Sequence, residues 1–216
     1  MSEIQKGYLF LYNVIQWIGW LMVFVDRLAN LPEHGLTLQG TWFLYLFQSL
    51  ALMEIVHSFT GLVRASPVTT LVQVVSRIQL IAVHSLIPEV QDSYGLVPMV
   101  VAWGFVEVVR YLYLALNLLN AAPRWLLWMR YSLFYVLYPL GVYGEMRVLF
   151  EAMPYLKESG ILSLALPNAW NLSFSFSGYV WVLLYVIYLP GLFMQYTHMI
   201  RQRRKALVPT DEKKNE

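Results

Sequence analysis

The sequence predicts an all-α integral membrane protein, a single bundle of six transmembrane helices enclosing a polar site. Three observations lead there. The 216 residues are 58% apolar and only 13% charged, against about 25% charged in an average soluble domain; that composition cannot make a surface that faces water on all sides. Six segments are long and apolar enough to cross a bilayer, which takes about 20 residues. Inside those segments lie ionisable side chains that lipid cannot solvate, so they must face one another or a wet cavity.

The expected spans are Tyr8–Leu28, Thr41–Val63, Val68–Ile87, Val97–Leu119, Trp125–Phe150 and Gly178–Ile200. Helix breakers separate them: Pro32 to Gly35, Ser66-Pro67, Pro88 to Gly95, and Asn120 to Pro123. The stretch from Glu151 to Ser177 is interrupted by Pro167 and Asn168 and reads as a loop resting at the membrane interface. Residues 1–200 are expected to form one membrane domain and 201–216 a basic cytosolic tail. No cleavable signal peptide is expected, because the first apolar run is too long and lacks a small-residue cleavage site. There are no cysteines, which excludes disulfides, thiolate metal sites and cysteine nucleophiles.

Lysine and arginine set the orientation. With six spans both termini share one side. That side holds Lys6, Arg64, Arg124, Arg201, Arg203, Arg204, Lys205, Lys213 and Lys214, whereas the opposite loops hold Lys157. Both termini are therefore expected in the cytosol. Lys213 and Lys214 stand fourth and third from the end and resemble the dilysine retrieval signal of endoplasmic-reticulum membrane proteins. A solvated charged tail is the simpler alternative.

The second span carries Glu54 and His57, the third Arg77 and His84, and the fourth Glu107, Arg110, Tyr111 and Tyr113. Local explanations exist for some of them. Glu107 and Arg110 can pair within one helix, Glu54 and His57 can bond to each other, and Arg27 and Arg130 can reach the interface from helix ends. Together they still imply a polar interior, hence a pocket, tunnel or pore.

The fifth span is the sharpest case. Tyr138 and Glu145 are seven residues apart, two helical turns, so they share a face about 10 Å apart in rise. Pro139 and Gly141 lie between them. Pro139 leaves the carbonyl of Tyr135 free and bends the helix. Gly141 and Gly144 permit close packing by a neighbour. Arg147 lies on a different face from Glu145. A buried carboxylate without a cation suits proton transfer near neutrality; alternatively, Glu145 pairs with an arginine of another helix and only holds the bundle together.

The run Tyr138-Pro139-Leu140-Gly141-Val142-Tyr143-Gly144-Glu145, preceded by Arg130-Tyr131, resembles the YPxGxxxE signature of the very-long-chain (3R)-3-hydroxyacyl-CoA dehydratases, also called protein tyrosine phosphatase-like proteins. Glu54 and His57, with Gly61-Leu62-Val63-Arg64-Ala65-Ser66-Pro67, resemble the family's LExxH…GLVxSP block. Gln73, Ser76 and Arg77 resemble its QxxSR block. Trp103, Glu107, Arg110 and Tyr111 resemble its WxxxExxRY block, and Arg203, Lys205 and Leu207 its basic ending.

The resemblance covers nearly the whole chain. It implies a six-span endoplasmic-reticulum lyase that dehydrates a 3-hydroxyacyl-CoA to a trans-2-enoyl-CoA, the third step of fatty acid elongation, with an apolar acyl tunnel between the helices. It carries the catalytic pair onto Tyr138 and Glu145. Arg77, Arg110, Tyr111, His57, Glu54 and Glu107 become candidates for shaping the site, and Arg64 and Arg124 for meeting the CoA phosphates. A phenol of ordinary pKa, about 10, suits the acid role and Glu145 the base role; the reverse assignment stays open. No metal or other cofactor is expected, since the substrate carries coenzyme A. Expected partners are membrane lipid and the other elongation enzymes (elongase, ketoacyl reductase and enoyl reductase), with no nucleic acid. Two other readings compete: a non-catalytic scaffold of the elongase complex, and a transporter or channel. The absence of a clear internal repeat weighs against the transporter.

Overall fold

The first helix shows why the chain folds inside out. Leu11, Ile15, Ile18, Met22 and Val25 recur at helical spacing along one face and are exposed, whereas Asn13, Gln16 and Arg27 are buried on the other. Apolar residues outside and polar ones inside is the arrangement that a lipid solvent selects. The computed structural model describes residues 1–31, 33 and 35–207; Lys213 and Lys214 of the expected retrieval signal lie outside them.

Among the described residues the secondary structure is helical apart from one isolated bridge between Leu164 and Phe174. The helices are α1 (Glu3–Ala29), α2 (Leu38–Leu50), α3 (Leu52–Phe59), α4 (Pro67–Leu86), α5 (Leu96–Leu118), α6 (Arg124–Ser132), α7 (Phe134–Ser159), α8 (Phe176–Val182) and α9 (Tyr188–Leu207). Local chemistry sets several starts. Ser2 and Gln5 form a reciprocal capping box on α1, Thr37 caps α2, and Ser66 caps α4 with Pro67 at its first position.

Four helical units are long and apolar enough to cross a membrane: α1, Gln39–Phe59 (α2 with α3), α4 and α5. Phe176–Val186 and Pro190–Leu207, bent by 53° at their junction, form a fifth if taken as one span. The expected fifth span differs. Trp125–Phe150 is not one helix but breaks at Leu133 into α6 and α7. α7 then continues through the first third of what reads in sequence as a loop, to Ser159. The reason is its buried face: Ala152, Met153 and Leu156 pack into the core beyond Phe150. It stops at Gly160, whose φ of +62° a side chain would resist.

Two local expectations are corrected. Arg27 does not reach out to the interface. It is fully buried and donates to the carbonyls of Asn30 (2.8 Å), Glu33 and Gly35, tying the end of α1 to the turn that follows. Glu54 and His57 do not bond to each other; each finds a partner on another helix, as described below.

α5 lies at the centre, between α1 and α7. Its approach to α7 is set by small residues. A Cβ on Gly144 would stand 2.5 Å from the Met99 backbone nitrogen and 2.6 Å from the Gly95 oxygen; one on Gly141 would stand 3.3 Å from the Ala102 Cβ. Backbone cannot yield as a side chain does. Gly144→Ala is therefore expected to destabilise the protein by about 2 kcal/mol, read as a lower melting temperature in detergent. Gly191→Ala, with open space around the new methyl, serves as the control and should melt near wild type.

Candidate active site

The polar residues of α3, α4 and α5 meet in one row. Arg110 grips Glu54 with two bonds, Nη1 to Oε2 at 2.9 Å and Nη2 to Oε1 at 2.7 Å. Its Nε donates to Glu107, and Arg77 donates to the other oxygen of Glu107. Tyr111, fully buried beneath the Arg110 guanidinium, donates to Glu54. The sequence Glu54–Arg110–Glu107–Arg77 alternates in sign and sums to zero, so charges that lipid would reject are balanced internally. Five predicted residues (Arg77, Arg110, Tyr111, Glu54 and Glu107) are thus brought together.

His57 flanks the row. Its Nε2 is 2.8 Å from the Tyr8 hydroxyl, and its ring meets that of Tyr12 edge-on, which in turn approaches Tyr111. His84 is engaged elsewhere, with Tyr45 at 2.7 Å. Arg64 and Arg124 are exposed, in the turn after α3 and at the first position of α6, and neither forms an ion pair with the row.

Removing one member of the row should be costly. Arg77→Leu leaves Glu107, whose side chain is 5% exposed, with Arg110 alone. The expected loss is about 3 kcal/mol. Adding Glu107→Leu in the same molecule should restore part of it, because two apolar groups do not leave a charge behind; paired thermal melts in detergent check both.

Arg77 also links the row to Glu145. Its guanidinium stacks over the Trp103 ring at 4.8 Å from the centroid, and the Trp103 indole donates from Nε1 to Glu145 Oε1 at 2.8 Å. The second oxygen, Oε2, accepts from the Tyr188 hydroxyl at 2.9 Å. Among the described residues no cation forms a salt bridge with Glu145, so the alternative in which it merely pairs with an arginine is not realised. Arg147 instead pairs with Glu151 one turn further along α7. Both oxygens of Glu145 are held as acceptors by neutral donors. One lone pair on each is left for a proton from elsewhere.

Tyr138 lies two turns earlier on the same helix. The two are not hydrogen-bonded to each other. The Tyr138 ring faces that of Tyr196 on α9, with centroids 6.4 Å apart. A phenol and a carboxylate thus share one side of α7, with α9 beside the first and α5 beside the second.

Sequence reasoning missed Trp103 and Tyr188 as site residues. Trp103 had a signal: it stands four residues before Glu107, on the α5 face that carries the charges. Tyr188 had a weaker one, Pro190, which marks a break in the last apolar segment. A cleft of about 380 Å³ lies elsewhere, between the ends of α4 and α7, lined by residues such as Leu86, Glu89 and Glu158. Among the described residues no group of three or more His, Asp or Glu side chains is placed to hold a metal ion.

Apolar helices turned outward around a neutralised polar row and a carboxylate gripped by neutral donors define a multi-pass membrane protein with an internal acid–base cluster. Comparison with known proteins narrows this. Residues 48–209 match the family described as protein tyrosine phosphatase-like protein, PTPLA. The very-long-chain (3R)-3-hydroxyacyl-CoA dehydratase 2 of Mus musculus is 39% identical over 218 residues, covering 99% of this chain and 85% of the relative. The dehydratase hpo-8 of Caenorhabditis elegans is 39% identical over 216 residues, covering 97% and 98%. The dehydratase PASTICCINO 2B of Oryza sativa subsp. japonica is 36% identical over 211 residues, covering 95% of each. The chain belongs to the protein tyrosine phosphatase-like family. No solved structure matches it significantly.

Proposed function

We propose that this chain is a very-long-chain (3R)-3-hydroxyacyl-CoA dehydratase, a hydro-lyase of fatty acid elongation. The observation that carries the reaction is similarity along nearly the whole chain to relatives that bear that name. The two neutral donors on Glu145 support a reading in which that carboxylate takes part in the reaction.

The elimination breaks the C2–H and C3–O bonds and forms the C2=C3 double bond. In the proposed mechanism Glu145 takes the C2 proton through a lone pair that Trp103 and Tyr188 leave open. Tyr138 gives its proton to the departing C3 hydroxyl, which leaves as water. The proton held by Glu145 must then return to the Tyr138 phenolate before the next cycle. This chemistry calls for no cofactor beyond the coenzyme A of the substrate. The neutral row around Arg110 and Glu107 acts as scaffolding, and Arg77 acts through Trp103 rather than on the thioester.

We further propose six spans, with α6 and α7 together supplying the one that composition alone does not single out, and an apolar tunnel for the acyl chain that opens as substrate enters. Residues 1–200 would be the membrane domain and 201–216 the tail, in the endoplasmic-reticulum membrane with both termini cytosolic. The CoA phosphates would then meet Arg64, Arg124 and the basic residues of α9. The elongase and the two reductases of the cycle are the proposed partners. The test is direct: purified protein in detergent, given a long-chain (3R)-3-hydroxyacyl-CoA or its (3S) epimer, with products read by mass spectrometry. Enoyl-CoA from the (3R) epimer alone supports the proposal; no product from either epimer, from folded protein, sinks it.

A further inference from the structure

Among the described residues, the one direct hydroxyl contact of Glu145 comes from a residue outside its own helix. Tyr188 stands where the last span changes geometry. Between α8 and α9, residues Leu183–Ile187 form a wide π turn, and the Tyr188 amide bonds to the carbonyl of Leu183, five residues back. A π turn holds one more residue than an α turn, which rotates everything after it by about 100° relative to an uninterrupted α-helix. Pro190 contributes to the break, because it has no N–H for the carbonyl of Val186. The result is that the Tyr188 hydroxyl reaches Glu145 Oε2 at 2.9 Å.

We infer that Tyr188 is a positioning residue for Glu145: with Trp103 on the opposite oxygen, it fixes the plane of the carboxylate so that its open lone pairs face the substrate carbon. This inference rests on the dehydratase reading. A single donor would let the carboxylate rotate about its terminal bond, a broad torsion with little preference of its own. Two donors from different helices, one on each oxygen, fix it. Trp103 is itself held from behind by Arg77. Tyr188 touches the base and not, on this reading, the reacting atoms. Its loss should therefore lower the rate of proton removal without weakening substrate binding.

The experiment is a set of variants assayed for enoyl-CoA formation in detergent. Tyr188→Phe removes only the hydroxyl and is expected to lower kcat by about tenfold to a hundredfold, the cost of a misplaced reacting group, with KM little changed. In the Glu145→Gln background Tyr188→Phe should cost nothing further, since it acts only through Glu145. Tyr179→Phe, which removes a neighbouring hydroxyl bonded to Gln79 at 3.2 Å, should behave as wild type. If Glu145→Gln is inactive while Tyr188→Phe keeps wild-type kcat, or if the two losses multiply, the positioning role is overturned and the dehydratase reading stands. If the folded wild type forms no enoyl-CoA, that reading falls and the inference with it.

Discussion

Glu145→Gln is expected to cut kcat by about a thousandfold while leaving the protein folded. General base catalysis contributes about a hundredfold to ten-thousandfold, and Glu145 is the proposed base. The other carboxylates near it, Glu107 and Glu54, are bound to arginines and cannot turn toward a substrate without breaking two or more charge-assisted bonds. The amide is nearly isosteric, and its oxygen can still accept from Trp103, so packing should survive. The measurement is turnover in detergent beside a thermal melt. A folded, inactive variant is the expected pair of results.

Tyr138→Phe is expected to lower kcat by about a hundredfold. The ring stays, so its contact with Tyr196 and the apolar packing of α7 are kept. What is lost, on the proposed assignment, is the proton for the departing hydroxyl. Hydroxide is a poor leaving group, so without a donor the C3–O bond breaks late and slowly. The smaller effect than for Glu145 reflects the solvent: a water molecule can stand in for a phenol as acid more readily than for a carboxylate as base. If the roles were reversed, with Tyr138 as base, Tyr138→Phe would be the more damaging of the two, so the order of the losses reports the assignment.

Much of this site is legible in the sequence because lipid is an unforgiving solvent. Glu54, Arg77, Glu107 and Arg110 stand out in apolar runs, and each must find a partner; the spacing of Glu107 and Arg110 gives one pairing outright. The seven-residue interval from Tyr138 to Glu145 places both on one side of α7. Tyr188 could not be singled out in the same way. The chain has fifteen tyrosines, and the direction in which this one points depends on a π turn for which Pro190 is only a weak local signal. Arg27 was misread for a related reason. Near a helix end, an arginine that reaches solvent and one that folds back onto carbonyls look identical in sequence, and the choice is made by the turn through Asn30 and Gly35. The extension of α7 past Phe150 is a tertiary effect, since the face formed by Ala152, Met153 and Leu156 pays off only against the core.

On the proposed assignment one acid–base pair on α7 removes water from a 3-hydroxyacyl-CoA. The measurement closest to it is enoyl-CoA formation by wild type, Tyr138→Phe and Glu145→Gln, run side by side on samples matched for melting temperature. Turnover by the wild type with severe loss in both variants is the expected result. Near wild-type turnover by both folded variants would contradict it.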